Sequence, residues 1–397
     1  MTLPLTGVTV LAVEQYGAGP FGTMLLGDLG AEVIKIENPA DGGDMARAVG
    51  PHFLADGSSQ FFHAFNRNKR SLTLNLKAPE GREIFLRLVA EADAVLNNLR
   101  GDLPEALGLD YATLGKVNPA IVCAHLSAYG RDGPRRTWPG YDYLMQAEAG
   151  YLSLTGEPDA PPARFGLSMV DMMTGLMAAF ALTSGIIGAR ASGKGMDLDT
   201  SLFDTALHNL SYLATWYLNA GINQGREPRS AHPSLTPSQL YRTGDGWLFV
   251  MCNKEKFWPI LCEALGHPEW AADPRFASFA ARLEHRAEVT EMLDAVLSER
   301  PTAEWLELLG GVAPVAPVND VADALENPFV ASEDRVAGFA GPDGAEVLRM
   351  LAGPVRVAGA EQPRKAGPEL GADTGDILRR LGLGEAEIDA LRAKGVV

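Results

Sequence analysis

Cysteine is scarce in this chain of 397 residues, with only Cys123, Cys252 and Cys262. Three scattered cysteines make no disulfide framework, and no CxxC or His-rich spacing offers a metal site. No charged-then-apolar leader opens the sequence, and no apolar run is expected to be long enough to cross a bilayer. A reducing cytoplasm is the expected setting, with no membrane partner. Basic charge is short as well. The 34 Lys and Arg against 50 Asp and Glu leave a formal net charge of −16, which argues against nonspecific binding to nucleic acid. A small anionic ligand would need local positive charge. The candidates are Arg67-Asn68-Lys69-Arg70 and a Gly/Pro-rich loop carrying Arg131, Arg135 and Arg136. Taken alone, the first of these runs reads as a solvated turn.

What is present is ordinary globular material, 46% apolar and 21% charged. It is enough for two domains and a sizeable core without staples. Residues 8–13 are short, β-branched and barely alternating, the pattern of a buried strand. They run into Gly17-Ala18-Gly19-Pro20-Phe21-Gly22 and a helix, with Pro20 suited to the first turn. A second strand follows at 32–37, so a βαβ unit and a parallel sheet are expected. Further strands fit 94–96, 121–126 and 196–202, and a helix fits 79–91. The segment 223–238 is rich in Pro, Ser and Arg and reads as a linker or mobile loop. Beyond it a hairpin is expected, 239–243 and 247–251 closed by Gly244-Asp245-Gly246, then helices at 255–265, 282–298 and 302–309. A short strand at 346–350 and a helix at 374–381 close the chain.

Two stretches carry chemistry. The first, Phe165 to Gly175, sets Asp171 at the head of a helix whose residues 176–187 include no charge. A carboxylate there feels the positive end of the helix dipole and unpaired N–H groups, which favour its ionised form. It can serve as a nucleophile toward an activated acyl group or simply as a helix cap. The second, residues 17–22, matches GxGxxG between a strand and a helix, with Glu37 closing the next strand at the spacing of a ribose-binding acid. This suggests a nicotinamide-dependent oxidoreductase. Proline within the turn removes a donor that pyrophosphate would use, and no hydride-transfer set follows.

An ordered set of motifs points elsewhere. It comprises Ala18-Gly19-Pro20 with residues 29–37, Asn66 to Ser71 with Leu74-Asn75-Leu76-Lys77, and Asn98-Leu99-Arg100. Gly140-Tyr141-Asp142, Ser192 to Gly195, and Ile377-Leu378 with Leu381-Gly382-Leu383 complete it. With these the chain closely resembles the family III CoA-transferases (CaiB/BaiF), the formyl-CoA transferase and carnitine CoA-transferase group, from Pro4 to its last residue. The resemblance implies an open, Rossmann-like parallel-sheet α/β large domain formed by both chain ends, with an inserted smaller α+β domain. Its expected boundaries are 1–215, 216–328 and 329–397. It also implies an intertwined, ring-like homodimer.

The resemblance implies a role for single residues too. Asp171 matches the family nucleophile, which attacks the acyl-CoA thioester to form an acyl–aspartyl anhydride. Tyr141 matches an active-site tyrosine. Gln15, Gly17 and Ala18 are expected to line the acyl pocket, and Leu74, Leu76, Lys77, Asn98, Leu99 and Arg100 to hold CoA. Coenzyme A enters as substrate, no cofactor is tightly bound and no metal is used. The Arg67–Arg70 run gains a role as a field for the CoA phosphates. Met145, Met169 and Met172 are expected near the acyl group, and Arg229 or His232 is a candidate for a second carboxylate of the substrate.

Four departures argue against formyl or oxalate specificity. Gly17 stands where formyl-CoA transferase has glutamine. Asn38-Pro39 replaces an arginine pair. Arg229 to Ser234 replaces a glycine-run loop, and Gly371-Ala372-Asp373-Thr374 replaces Gly-Glu-His-Thr. The rival within the superfamily is an α-methylacyl-CoA racemase, which pairs the aspartate with a histidine; here that place holds Tyr141, a poor base near neutral pH. His63 and His125 are expected in core or turn positions. A non-catalytic protein on the same fold is a third class.

Overall fold

The computed structural model describes all residues from Met1 to Val397. Six strands form a parallel sheet: β1 Thr9–Val13, β2 Glu32–Glu37, β3 Arg70–Thr73, β4 Ala94–Asn97, β5 Val122–Ser127 and β6 Met196–Ser201. Their order is β3-β2-β1-β4-β5-β6. Leu11 lies opposite Ile34 and Val95, and Val95 opposite Cys123, so the centre of the sheet is continuously apolar, as a sheet covered on both faces requires. The chain winds outward from β1 to β3, then returns to start β4 on the other side of β1. Such a reversal leaves a crevice beyond the carboxyl ends of the two strands.

On one face the Pro79–Glu91 helix buries Ile84, Phe85, Leu88 and Val89 in a cluster with Leu72 and Val95. The chain's C-terminus joins that cluster through Ile377, Leu378, Ile388 and Val396, and the Asn75 N–H donates to the Val396 carbonyl at 2.8 Å. Both chain ends therefore belong to one unit, made of residues 1–149, 166–211 and 329–397. A helix at Glu385–Ala393 follows the expected one at Thr374–Arg380.

On the other face the Ala18–Asp28 helix crosses the Met169–Ser192 helix at glycines. A Cβ on Gly22 would stand 2.4 Å from the Gly175 carbonyl oxygen, and one on Gly175 would stand 2.5 Å from that of Ala18. Neither oxygen can yield without parting the helices. Gly22→Ala is therefore expected to destabilise the fold by about 1–3 kcal/mol, the usual cost of overpacking. Chemical denaturation would read this, and an unchanged midpoint would show that the helices separate freely.

The Met169–Ser192 helix is, by length and composition alone, apolar enough to cross a membrane, which corrects the expectation that no such run exists. Its Val170, Thr174, Ala178, Leu182 and Ile186 side is buried. Leu176, Phe180 and Ile187 on its other side are exposed, so burial is one-sided.

β3 was not expected, because its first residue, Arg70, closes a run that looks like a solvated turn. The structure sends that run inward. Arg67 pairs with Asp28 at 2.6 Å, Lys69 with Glu14 at 2.7 Å, and Arg70 with Glu32 at 2.9 Å, Asp373 at 3.0 Å and Asp376. With carboxylate partners for all three, the run holds the fold rather than presenting a field for phosphates.

The second unit comprises residues 150–165 and 212–328. It thus takes a segment from within the stretch expected to be wholly in the large domain. Arg226 donates to the carbonyls of Ala160 and Pro161, and the Arg229 N–H to Glu157 at 2.9 Å, which ties that segment to residues 223–230. The expected linker is thus bonded in place. Ser238–Arg242 and Trp247–Met251 form the expected antiparallel hairpin, and Val315–Pro317 adds a third strand. Tyr241, Leu248, Trp258, Leu293 and Trp305 belong to its own core. The expected helix at 282–298 is two helices, Phe279–Glu284 and Arg286–Leu297. In the first unit, Val336–Ala340 pairs antiparallel with Glu346–Leu351.

Candidate active site

The crevice between the ends of β1 and β4 opens into two adjoining clefts. The first, of about 210 Å³, is lined by Gln15, Tyr16, Gly17, Ala18, Met45, Asn98, Leu99, Arg100, Trp138, Tyr141 and Asp171 among others. The second, of about 350 Å³, is lined by Gln15, Glu37, Asn38, Leu74, Asn75, Leu76, Lys77, Leu99, Leu103 and Leu107 among others. Gln15 to Ala18, Leu74 to Lys77 and Asn98 to Arg100 meet because they follow β1, β3 and β4 at one edge of the sheet, and Asp171 joins them from the first turn of the helix packed on Ala18–Asp28. Asp171, Tyr141, Gly17, Ala18, Asn98 and Arg100 fall on the first cleft. Leu74, Leu76 and Lys77 fall on the second, and Gln15 and Leu99 border both.

Asp171 sits in the first turn of the Met169–Ser192 helix and is 9% exposed. Its carboxylate packs on the backbone of Gly17, where a Cβ would stand 2.6 Å from Oδ2. Glycine at position 17 therefore leaves room for the acid. Together with Gly22 at the helix crossing, it accounts for two of the three GxGxxG glycines without any dinucleotide. Glu37, the suggested ribose acid, is likewise committed: it accepts from Arg47 Nε at 2.8 Å and Nη2 at 2.7 Å, and from Ser71 Oγ at 2.6 Å.

Ser168 stands at the N-cap of the Met169–Ser192 helix without a side-chain cap bond, and the carboxylate that reaches the first turn is that of Asp142, not Asp171. Asp142 Oδ2 accepts the Asp171 N–H at 2.9 Å, while its Oδ1 accepts from Gln146 at 2.5 Å. Asp171 is thereby released from capping duty and directed to the cleft wall. Burial pushes its carboxyl up to about 7, and the Asp142 carboxylate adds to the rise. This reverses the direction expected from the helix N-terminus: loss of hydration and a neighbouring negative charge outweigh the dipole. Asp142 lies inside the Gly140-Tyr141-Asp142 motif, but nothing in its spacing from Asp171 announces the contact.

Tyr141 is 61% exposed and precedes the Asp142–Glu148 helix. Asn98 spends its amide on the backbone of Gln15, accepting from its N–H at 2.9 Å and donating to its carbonyl at 2.7 Å. Arg100 is paired through Nε and Nη2 with Asp102, at 2.6 and 2.8 Å. Lys77 is exposed. Met45 lines the first cleft and Met145, Met169 and Met172 do not; Met145 is core, packed where a Cβ on Gly140 would touch it. Arg229 is paired with Asp294 at 2.7 Å, and His232 Nδ1 accepts the Ser234 N–H at 3.2 Å; neither lines these clefts. His125 is fixed in the core between Asn97 and Asp197, each at 2.8 Å, and His63 receives the Gly367 N–H.

Fold and cleft define an α/β enzyme with a buried carboxylate at its topological switch point. Residues 5–374 match CoA-transferase family III. The chain is 35% identical over 413 residues to an acyl-CoA transferase of Fusarium pseudograminearum, covering 99% of this chain and 88% of that protein. It is 32% identical over 397 residues to the succinate–glutarate CoA-transferase of Agrobacterium fabrum, covering 95% and 96%. Among solved structures, a CAIB/BAIF family protein from Brucella suis is similar with a TM-score of 0.82 at 34% identity, covering 96% of this chain and all of that one. The chain belongs to CoA-transferase family III.

Proposed function

We propose that this enzyme moves CoA from an acyl-CoA donor to a carboxylic acid through anhydrides on Asp171. The observation that carries the proposal is the Asp171 carboxylate itself, buried on the cleft wall against Gly17 and relieved of capping by Asp142. Its oxygen attacks the thioester carbonyl and the C–S bond breaks, leaving an acyl–aspartyl anhydride and CoA thiolate. The thiolate attacks the aspartyl carbonyl and frees the donor acid. The acceptor carboxylate displaces the thiolate to make a second anhydride. The thiolate then takes the acceptor's acyl group, restoring Asp171. Each tetrahedral intermediate carries an oxyanion, and the backbone N–H groups at Gly17 and Ala18, at the head of the Ala18–Asp28 helix, are its candidate donors.

The likeness to a succinate–glutarate enzyme supports short dicarboxylates as donor and acceptor. A racemase needs a second acid–base group across the α-carbon, and no histidine lines the cleft. An intertwined homodimer is part of the same proposal. It is supported by the apolar side chains the Met169–Ser192 helix leaves open, with Phe180 and Ile187 each 66% exposed.

Mixing the protein with succinyl-CoA, glutaryl-CoA and acetyl-CoA, quenching with hydroxylamine and mapping peptides by mass spectrometry tests the chemistry. A hydroxamate on the peptide carrying Asp171 is the expected result. No adduct, with α-proton exchange into deuterated solvent, would replace transfer by racemisation.

A further inference from the structure

Beneath the Gln15–Gly17 turn lies a closed set of buried charges that the transfer chemistry does not use. Lys35, on β2, and Lys69 face Glu14 and Asp44, and all four side chains are fully removed from solvent. Lys35 Nζ stands 2.8 Å from Asp44 Oδ2 and 4.0 Å from Glu14 Oε1, and donates to the Glu14 carbonyl at 3.0 Å. Lys69 and the Thr23 hydroxyl each reach Glu14 Oε1 at 2.7 Å. Two cations balance two anions. Burying such a set is costly unless every member is paired, and packed apolar side chains would serve stability as well. One of its members also does what apolar packing could not.

That member is Asp44. Its Oδ1 accepts the Tyr16 N–H at 2.9 Å and the Ala46 N–H at 2.9 Å. Tyr16 has φ +70°, a left-handed conformation that a non-glycine residue adopts only when its surroundings impose it. The Ala46 contact caps the Met45–Ala48 3-10 helix, which brings Met45 to the cleft. One carboxylate therefore holds two walls of the first cleft. Asn98 holds the same turn from its other side, through Gln15.

We propose that Asp44, anchored by buried Lys35, is a positioning residue for CoA transfer. It fixes the Tyr16 N–H so that the Gly17–Ala18 backbone stays against the Asp171 carboxylate. The proposal rests on the anhydride chemistry given above.

Removing Asp44 alone would strand a buried lysine, so the test uses two variants without the ion pair. Lys35→Met with Asp44→Asn keeps an acceptor for the Tyr16 N–H, and Lys35→Met with Asp44→Ala lacks one. The alanine variant is expected to show kcat about 10- to 100-fold below the asparagine variant, the effect of a misplacement near 1 Å. Asp44 also borders the second cleft, so kcat is read at saturating acyl-CoA, where a change in CoA affinity does not enter. Equal kcat values would overturn the proposal.

Should either variant fail to fold, amide exchange in the wild-type protein decides. The Tyr16 amide is expected to exchange at least about 100-fold more slowly than an unstructured one; unprotected exchange would overturn the clamp. A wild-type enzyme inactive with every donor would count against the function proposed above, while the exchange experiment would still judge the clamp.

Discussion

Replacing Asp171 by alanine is expected to lower CoA transfer by about four orders of magnitude or more, the scale seen when a covalent nucleophile is removed. The affinity for free CoA should stay within about twofold, because the second cleft, with Leu74, Leu76 and Lys77, is untouched. Turnover assays and calorimetric titration with CoA read the two quantities separately. Retained turnover would remove Asp171 from the chemistry.

The same position should reveal a cost to the fold. A carboxyl raised to about 7 in the native protein, against 3.8 as the ordinary value, binds a proton that the unfolded chain has already lost. Between those values the native state holds more protons, so its stability falls as pH rises and the full cost is present above about pH 7. Asp171→Asn cannot ionise and escapes that cost. It should be more stable than the wild type by about 2–4 kcal/mol at pH 8, and equal to it near pH 4. Denaturation at both values would show it, and a variant no more stable at pH 8 would mean that the acid is not strained by burial.

The second large effect is on the pH profile. In the proposed mechanism it is the ionised form of Asp171 that attacks the thioester. The acylation rate constant for the free enzyme should therefore rise tenfold per pH unit up to about 7 and then level off. Asp142→Asn keeps an acceptor for the Asp171 N–H but removes the charge that adds to the rise. The acid limb should then move to lower pH. It should not reach the ordinary carboxylate range, since burial, the larger cause, remains. Stopped-flow acylation across pH 5 to 8 measures both limbs, and coincident profiles would show that Asp142 acts by hydrogen bonding alone.

Much of this protein is legible in its sequence. The β-branched runs at 8–13 and 32–37, with a helix between them, are enough for a parallel unit, because strand period and turn chemistry are local properties. The 239–251 hairpin was legible for the same reason. Local pattern left Asp171 as either a nucleophile or a helix cap, and it was the ordered motifs that named the family and singled the residue out. The arginine and lysine run at 67–70 misled, since sequence alone does not show whether a cation points to water or to a buried carboxylate. Asp28, Glu14 and Glu32 are distant in sequence and reach that run only through the sheet.

The sequence by itself determined the class of the sheet and the family and singled out Asp171, all carried by short-range patterns or by ordered motifs. Tertiary structure alone decided the surroundings of that carboxylate. Asp142 reaches the first turn of the helix in its place, Gly17 makes room for it, and burial with a neighbouring charge lifts its pKa against the pull of the dipole. Asp44 and Lys35 hold the turn beside it. These relations join residues tens of positions apart. They depend on desolvation and on distances of about 3 Å, which exist only once the strands have brought their ends together.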